Sequence, residues 1–392
     1  METYDVVIVG AGPAGIFAAL TLADMGIGNV IIFEEGKDID ARAKEKELLK
    51  GWGGAGAFSD GKLTFSPEIG GSLLDFIPRE ELEELLKEAD RVFLNFGAPE
   101  KVYGGPSEAV DTLKSETRLA GLELIPTKIR HLGTENCPGI LRSMREKLQE
   151  KITIRCGTKV EKIISENKIV KGVELKDGSM VKGRFVVVAP GRVGAGWMEG
   201  QAEVLKLTAV PSPVDIGLRV EVPAAVLERL TNATYESKFI YYSRTFDDKV
   251  RTFCMNPHGE VVIEVNDNIT TVNGHSYASK RTENTNFALL VSTSFTDPFH
   301  EPIKYGRYIA QLANILGKGV IVQRLGDLLA GRRSTPERIS YSITKPTLKE
   351  ATPGDLSFVL PYRYIKDVIE TLEAMDKIAP GVFSRHTLLY GV

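Results

Sequence analysis

Three glycines near the N-terminus have the spacing that lets a protein backbone bind the phosphates of a dinucleotide. They are Gly10, Gly12 and Gly15, within a Gly-Ala-Gly-Pro-Ala-Gly segment. In such a motif the first glycine permits a tight turn, the second lets the pyrophosphate approach the backbone, and the third allows close helix–strand packing. The phosphates then lie at a helix N-terminus, where N–H groups and the helix dipole favour anions. Pro13 and Ala14 complete the predicted cofactor-binding turn.

A strand, a helix and a second strand must position these glycines. Asp5–Val9, a short run of β-branched residues ended by glycine, predicts a buried parallel strand, and Pro13–Met25 is rich in helix formers. Asn29–Phe33 predicts the second strand, which leads into Glu34, nineteen residues after Gly15. A carboxylate there accepts hydrogen bonds from ribose hydroxyls and disfavours the 2′-phosphate of NADP. The complete βαβ unit therefore predicts a dinucleotide site.

The chain resembles flavoproteins that have a glutathione-reductase-type FAD domain. The resemblance is carried by Asp5–Ala23 and Val30–Gly36, and it continues at Cys156–Ile163 and Phe185–Gly191. It implies that FAD is the bound dinucleotide. Proteins of this type contact the adenine from the backbone of the third segment and place the fourth, a strand and turn, beside the cofactor. The residues that the resemblance adds to the site are Val160, Ala189 and Gly191.

Three further segments are similar to a family of predicted FAD-dependent dehydrogenases, described as NAD(FAD)-utilising dehydrogenases. These segments are Gly51–Leu63, Val272–Asn286 and Gly326–Thr335. This resemblance covers nearly the whole chain and implies the fold and the cofactor, but it leaves the substrate open. The implied function is that of a FAD-dependent oxidoreductase, which passes hydride or electrons between a small molecule and an acceptor.

The glycine-rich segment Gly51–Gly61 predicts an irregular loop whose backbone approaches the flavin closely. Its predicted cofactor-binding residues are Gly53, Gly54 and Ala55. Lys62 follows the segment and is placed to stabilise negative charge on reduced flavin, while Asp60 is a second candidate for catalysis. Both side chains are explained equally well as charged loop residues that face solvent and have no role in catalysis.

A second polar cluster, Arg332–Thr335, contains two arginines followed by two hydroxyl side chains. Adjacent guanidinium groups can clamp a carboxylate or a phosphate, which makes Arg333 a candidate for catalysis. The alternative is a pair of charges that face solvent at the end of a helix. The five histidines are scattered singly, and the sequence assigns none of them a catalytic role.

Patterns of apolar residues divide the chain into two domains. Residues 1–205 predict a doubly wound, Rossmann-like α/β domain for FAD, with a β-meander and a helical insertion over about 66–150. Residues 206–375 predict a mixed α+β substrate or cap domain built on an antiparallel sheet. Residues 376–392 predict the start of a strand that returns to the FAD domain.

The C-terminal region bears on how tightly the chain is expected to bind FAD. FAD domains of the resembling type have a late strand followed by Gly-Asp, whose acid binds the ribityl and phosphate region. Here Gly326 and Asp327 precede an apolar, helical segment, and Phe383–Val392 supplies a strand without such a turn. We therefore expect that the native protein extends further and that residues 1–392 alone bind FAD weakly.

Composition limits the kinds of partner. The 49 basic and 52 acidic side chains give a net charge of -3, which argues against a nucleic-acid partner. Three distant cysteines without a C-x-x-C pair predict no metal site and fit a reducing cytoplasm. The uncharged stretch Val6–Ala23 is interrupted by glycines and lacks the basic start of a signal peptide, so we predict no membrane span. The oligomeric state is left open.

Motifs that the sequence lacks bear on other functions of a flavoprotein. The glycines of Gly191–Gly196 are in the wrong order for a nicotinamide domain, so NAD(P)H would dock only transiently as an electron donor. The lack of C-x-x-C excludes a dithiol reductase, and the lack of Asp-Gly after Phe185–Ala189 disfavours a monooxygenase. The alternatives are a flavoprotein that acts on or binds a macromolecule, as tRNA-modifying relatives of this fold do, and a non-catalytic FAD-binding protein.

Overall fold

The computed structural model describes residues 2–45, 49–58, 61–210, 212–266, 268–277, 280–295, 301–317 and 319–391. The strands of these residues are β1 (Glu2–Val9), β2 (Val30–Glu34), β3 (Lys62–Thr64), β4 (Val102–Tyr103), β5 (Glu123–Ile125), β6 (Ile129–His131), β7 (Thr153–Cys156), β8 (Val160–Glu166), β9 (Ile169–Leu175), β10 (Met180–Val188), β11 (Val214–Pro223), β12 (Lys238–Tyr242), β13 (Lys249–Asn256), β14 (Glu260–Asn266), β15 (Ile269–His275), β16 (Asn284–Thr293), β17 (Ile321–Arg324), β18 (Thr352–Pro353) and β19 (Leu388–Gly391).

The helices, in the same part of the chain, are α1 (Pro13–Asp24), α2 (Ile39–Glu45), α3 (Arg79–Asn95), α4 (Glu108–Leu119), α5 (Cys137–Gln149), α6 (Ala195–Val204), α7 (Ala224–Thr234), α8 (Pro302–Gly317), α9 (Leu325–Leu329), α10 (Pro336–Ser340) and α11 (Tyr362–Asp376). Short 3-10 helices lie at Gly54–Phe58, Leu73–Asp75 and Leu356–Phe358.

The chain divides into two compact units. Unit 1 comprises Met1–Gly61, Arg91–Ala98 and Leu132–Val210, and unit 2 comprises Lys62–Asp90, Pro99–His131 and Pro211–Val392. Most of the segment that the sequence predicted as a helical insertion in the first domain therefore lies in unit 2. The physical reason is that β5 pairs with β12, a partner that lies more than a hundred residues further along the chain.

Unit 1 is built on a six-stranded sheet with the order β7-β2-β1-β10-β9-β8. Strands β7, β2, β1 and β10 are parallel, and Val7 of β1 lies in register with Ile31 of β2 and Val186 of β10. All five residues of β2 are buried, as expected for a parallel strand covered on both faces. The predicted strand–helix–strand order at the N-terminus is confirmed, although β1 begins three residues earlier than predicted.

The second half of this sheet differs from the sequence prediction in its pairing. β10 is one strand that pairs parallel with β1 from Val181 to Val188 and, at its start, also pairs antiparallel with β9 from Met180 to Lys182. The predicted separate strand Phe185–Ala189 is therefore the end of β10. β7 lies at the opposite edge beside β2, so the meander consists of β8, β9 and β10. Apolar runs locate strands, but they do not specify partners.

Unit 2 contains an eight-stranded sheet with the order β18-β17-β19-β11-β16-β13-β12-β5. Its neighbouring strands are antiparallel except for the β17–β18 pair, which confirms the predicted antiparallel sheet. The longest ladder joins β11 to β16, with Val220 opposite Phe287, and both side chains are buried in the core. Helices α7, α8 and α11 pack against this sheet.

The final strand corrects the prediction for residues 376–392. β19 does not return to the sheet of unit 1; it lies between β11 and β17, where Tyr390 is opposite Arg219 and Val322. Leu388, Leu389 and Tyr390 are fully buried. The apolar sequence of this strand is compatible with burial in either sheet. Only its tertiary partners therefore decide which sheet it joins.

Two smaller sheets complete unit 2. Strands β3, β6 and β4 form a three-stranded antiparallel sheet, and β14 and β15 form a hairpin. Within the described ranges, we find no helix that is long and apolar enough to cross a membrane. The same residues contain no cluster of three or more His, Cys, Asp or Glu side chains arranged to hold a metal ion.

Candidate cofactor site

Two of the three motif glycines are required by packing inside unit 1. Gly10 has a φ of +100°, and a Cβ atom there would lie 2.2 Å from the carbonyl oxygen of Ala189. A Cβ atom at Gly15 would lie 2.0 Å from the carbonyl oxygen of Gly10. Both distances are far below van der Waals contact, so these positions allow only glycine. They produce the tight turn and the close helix–strand approach that the motif predicts.

Gly12 is different, because the protein itself does not require a glycine there. Its φ is -73°, and a Cβ atom would meet nothing nearer than the Cα atom of Gly54, at 4.0 Å. Gly12 is also the N-cap of α1, and no side chain caps this helix end. The backbone therefore forms a cradle beside uncapped N–H groups, which is the arrangement that a pyrophosphate needs. Pro13 and Ala14 are exposed at the same end.

Glu34 joins three backbone segments around this turn. Its buried carboxylate accepts hydrogen bonds from the N–H groups of Ala11 at 2.8 Å, Gly36 at 2.9 Å and Gly51 at 3.0 Å. A carboxylate has about four acceptor positions, so one is left for a ribose hydroxyl. The structure thus gives Glu34 a loop-ordering role that the sequence motif did not indicate.

The glycine-rich segment lies directly against the motif turn. The N–H of Gly53 donates to the carbonyl oxygen of Ala11 at 2.8 Å, and a Cβ atom on Gly54 would lie 3.0 Å from the Cα atom of Gly12. The prediction of an irregular loop is wrong for Gly54–Phe58, which forms a 3-10 helix that contains Ala55. Short i,i+3 turns tolerate glycine and alanine where a longer helix would not form.

Arg42 is a residue of this site that sequence reasoning missed. It is fully buried on α2 and donates to the carbonyl oxygens of Trp52 at 2.5 Å and Gly54 at 3.0 Å. Its guanidinium also lies 5.0 Å from the ring centre of Phe58. Arg42 therefore holds the glycine-rich segment in place. The only signal in the sequence is an arginine on a short helix, which is usually a surface residue.

The residues implied by the resemblance lie at different distances along the sheet of unit 1. The N–H of Ala189 donates to Val9 at 2.8 Å, which places it beside the motif turn, whereas Gly191 is exposed with a φ of +61°. Val160 is buried at the start of β8. Two residues earlier, the N–H of Thr158 donates to the carbonyl oxygen of Glu34 at 2.8 Å.

Cys156 of β7 is close to this end of β2. Burial, together with the nearby Asp38, raises the pKa of its thiol to about 12. The thiol therefore stays protonated at neutral pH and is a poor nucleophile.

The candidate Lys62 belongs to unit 2, where it is buried. Its Nζ atom lies 2.8 Å from Oε2 of Glu236 and donates to the carbonyl oxygen of Met255 at 2.7 Å. Lys238 contacts the other oxygen of Glu236 at 2.5 Å. Burial opposes ionisation of Glu236, but the two ammonium groups outweigh it and hold its pKa below the usual range. Asp60 lies outside the described residues.

Arg333 is exposed, while its neighbours form a compact network around Asp327. The buried Asp327 carboxylate accepts from Arg324 at 2.9 and 3.0 Å, from Arg332 at 3.0 Å and from Ser334 at 2.8 Å. These bonds outweigh the effect of burial and lower the pKa of Asp327 to about 2. The side chains of Asp327, Arg332 and Ser334 are therefore bonded to one another inside unit 2.

Two family models match this chain. Residues 3–44 match a model described as "FAD binding domain", and residues 213–392 match one described as "FAD-dependent protein, C-terminal domain-like". An uncharacterized protein of Clostridium beijerinckii is 30% identical over 424 residues, which cover 98% of this chain and 70% of that protein.

Solved structures of flavoenzymes show slighter similarity. One is L-amino acid deaminase from Proteus myxofaciens, with 14% identity and a TM-score of 0.35 over 56% of this chain and 52% of that chain. Another is pqsL, a probable FAD-dependent monooxygenase from Pseudomonas aeruginosa, with 14% identity and a TM-score of 0.36 over 74% of this chain and 61% of that chain. The chain thus spans only half to three fifths of their lengths.

The βαβ turn and the family matches together define the class. The chain is a FAD-dependent protein, and FAD is its cofactor. It belongs to the family of the uncharacterized Clostridium beijerinckii protein.

Proposed function

We propose that this chain holds FAD non-covalently at the first βα turn and passes hydride or electrons between a small-molecule substrate and an acceptor. The observation that carries the proposal is the cradle at Gly12, which the protein's own packing leaves open beside an uncapped helix N-terminus. A glycine at a position where an alanine would fit is explained by a ligand that approaches the backbone.

Different residues around the cradle would bind different parts of the cofactor. The N–H groups at the start of α1 would bind the pyrophosphate, and the remaining acceptor position of Glu34 would bind the adenosine ribose. Gly53, Gly54 and Ala55 would lie along the cofactor, held there by Arg42. The resemblance supports a backbone contact near Val160 for the adenine and further contacts near Ala189 and Gly191. When bound, FAD supplies a two-electron acceptor and donor.

The finer assignments follow from the sequence resemblances. We infer a doubly wound fold in unit 1, of the glutathione-reductase type, and a place among the NAD(FAD)-utilising dehydrogenases. NAD(P)H is the proposed transient electron donor. Lys62, Asp60 and Arg333 stay candidates for catalysis, and Lys62 would act together with the glutamate that it contacts.

The test is a visible spectrum of the purified protein, with mass spectrometry of the cofactor released by heat. Flavin absorbance and the mass of FAD are expected, and recovery of NAD alone would contradict the proposal. Anaerobic stopped-flow mixing with NADH and with NADPH then separates an enzyme from a non-catalytic FAD-binding protein. A flavin that no donor or substrate reduces would favour the non-catalytic alternative.

A further inference from the structure

Arg219 of β11 is a buried cation that forms no ion pair with any acidic side chain in the described part of the chain. Only 2% of its surface is exposed. Its Nη2 atom donates to the carbonyl oxygen of Cys254 at 2.9 Å, while its Nε atom is buried and has no hydrogen-bond partner. A guanidinium does not lose its proton in a protein, and a buried charge is costly unless an anion pairs with it.

The acid closest in sequence is held by other groups. Glu221 lies two residues further along β11, on the same face of the strand. Its buried carboxylate accepts hydrogen bonds from the hydroxyls of Thr347 at 2.6 Å and Tyr390 at 2.5 Å. The side-chain amide of Asn284 donates to it at 3.0 Å. Neutral donors therefore satisfy Glu221, and the charge of Arg219 is left without a partner of opposite sign in contact with it.

Two asparagines bring further buried polar atoms to Arg219. Asn256 of β13 and Asn286 of β16 are fully buried, and Nδ2 of Asn256 lies 3.4 Å from Oδ1 of Asn286. The same Nδ2 atom donates at 2.9 Å to the carbonyl oxygen of Cys254 that Arg219 contacts, which fixes the orientation of this amide. Oδ1 of Asn256 and Nδ2 of Asn286 are left buried without a hydrogen-bond partner.

Gly274 of β15 shows how closely the three side chains converge. A Cβ atom there would lie 2.3 Å from Nη2 of Arg219, 2.3 Å from Oδ1 of Asn286 and 2.4 Å from Nδ2 of Asn256. Only a glycine fits against all three. Gly274 and Asn286 belong to the segment Val272–Asn286, whose family resemblance the cofactor turn leaves unexplained.

The unpartnered atoms specify the chemistry of a ligand. Nε and Nη2 of Arg219 lie on one edge of the planar guanidinium, the edge that binds a carboxylate through two parallel hydrogen bonds. Nδ2 of Asn286 is a further donor to such a group. Oδ1 of Asn256 can only accept, so it requires a hydroxyl or an amine on the ligand.

We infer that Arg219, Asn256 and Asn286 form a binding site for a small carboxylate that carries a hydroxyl or amine group on the neighbouring carbon, as 2-hydroxy acids and 2-amino acids do. The carboxylate supplies the missing counter-charge of Arg219, and the hydroxyl or amine donates to Asn256. This site lies wholly within unit 2 and goes beyond the proposed function.

The β14–β15 hairpin covers the site, because Gly274 of β15 lies against all three side chains. In the described part of the chain, no ladder of hydrogen bonds joins this hairpin to the eight-stranded sheet. The hairpin therefore moves aside as one piece to admit the ligand and closes over it.

Calorimetric titration and thermal melting of the whole purified chain test the site. The probes are glycolate, L-lactate and glycine, with sodium chloride at the same ionic strength as the control. Each probe is expected to raise the melting temperature in a saturable manner, which chloride should not do. The absence of such a rise with all three probes, or an equal rise with chloride, would overturn the inference. Acetate lacks the second donor and should bind at least about tenfold more weakly than glycolate; equal binding would overturn the role of Asn256.

Variants of Arg219 connect binding to the guanidinium. Arg219→Lys keeps the charge but loses the two-donor edge, so it should weaken glycolate binding at least about tenfold. Arg219→Met should abolish binding. Without ligand, its melting temperature should be no lower than that of wild type, because a buried charge without a counter-charge is removed. A clear loss of melting temperature would show that the protein itself compensates the charge, which overturns the inference.

The matched control is Arg251→Met on β13, which removes an arginine paired with Asp215 at 2.6 Å. It should leave glycolate binding as it is in wild type. If Arg219→Met binds glycolate as well as Arg251→Met does, the ligand does not use Arg219 and the site is wrong.

Hydrogen exchange locates the ligand independently of affinity. Glycolate is expected to slow the exchange of backbone amides in β15, which covers the site, in wild type but not in Arg219→Met. Slower exchange confined to unit 1 would place the ligand elsewhere and overturn the inference.

Discussion

The Nζ atom of Lys62 lies 2.8 Å from Oε2 of Glu236, and only 4% and 3% of these two side chains are exposed. The residues are separated by more than 170 positions in sequence, on β3 and just before β12. A buried charge that loses its partner is costly, so this pair ties the small three-stranded sheet to the large sheet of unit 2.

We expect Glu236→Gln to lower the free energy of unfolding by about 3–5 kcal/mol, because it leaves the buried ammonium groups of Lys62 and Lys238 without their counter-charge. Lys62→Met should cost less than Glu236→Gln, because Lys238 still pairs with Glu236. The double variant should lose less than the sum of the two single variants. Urea denaturation of all three proteins measures this. The control is Lys280→Met, which removes a more exposed ion pair with Glu260 and should cost less than about 1 kcal/mol. Equal costs for the Lys62 and Lys280 variants would show that Lys62 is not a structural ion-pair residue.

The cradle at Gly12 gives a prediction that separates binding from folding. Gly12→Ala should leave the stability of the apoprotein nearly unchanged, because the added Cβ atom would meet no protein atom nearer than the Cα atom of Gly54, at 4.0 Å. The same methyl group should weaken FAD binding by at least tenfold, or about 1.4 kcal/mol, by occupying the place of the pyrophosphate. Fluorescence titration with FAD and a thermal melt measure the two effects. The control is Gly139→Ala on α5, where a Cβ atom also has open space.

Asp367 predicts an unusual pH dependence of stability. Burial, with the neighbouring Asp248 carboxylate adding to it, raises the pKa of Asp367 to about 6. The folded state thus binds this proton more tightly than the unfolded state. Its contribution is fully present below about pH 4 and is lost as the pH rises through about 6, a change of about 3 kcal/mol.

The measurement for Asp367 is urea denaturation between pH 4 and pH 7. Asp367→Asn should remove this part of the pH dependence and raise stability at pH 7. Glu373→Gln, on the same helix, removes a surface bond to Arg244 and should leave the slope as it is in wild type. An unchanged slope in Asp367→Asn would contradict the assignment.

The network around Asp327 has the opposite dependence. Its pKa of about 2 means that its contribution is present above about pH 4 and is lost as the pH falls toward 2. Asp327→Asn should cost about 3–5 kcal/mol at neutral pH, because the buried Arg324 loses its counter-charge. Arg333→Met should leave stability unchanged within about 0.5 kcal/mol, since Arg333 is exposed. Thermal melts at pH 3 and pH 7 distinguish these variants.

Much of the cofactor turn could be predicted from the sequence because its signals are local. Gly10, Gly15 and Glu34 occur at spacings set by one strand, one helix and the next strand, and the backbone there behaves as the motif requires. Arg42 could not be predicted, since its partners are carbonyl oxygens of a loop that no pattern places beside α2. The same limit applied to Lys62, whose buried partner is distant in sequence.

By itself, the sequence determined the N-terminal βαβ unit and the antiparallel character of the second sheet, because strand and helix periodicities are short-range properties. The FAD assignment came from the resemblance of its segments to those of flavoproteins. Only the tertiary structure decided which sheet β19 joins, how β10 serves two partners, and that Arg219, Asn256 and Asn286 meet. These are contacts between residues tens to more than a hundred positions apart. Alternation and apolar runs describe the faces of a strand, but the partner of each face is chosen by packing of the whole unit.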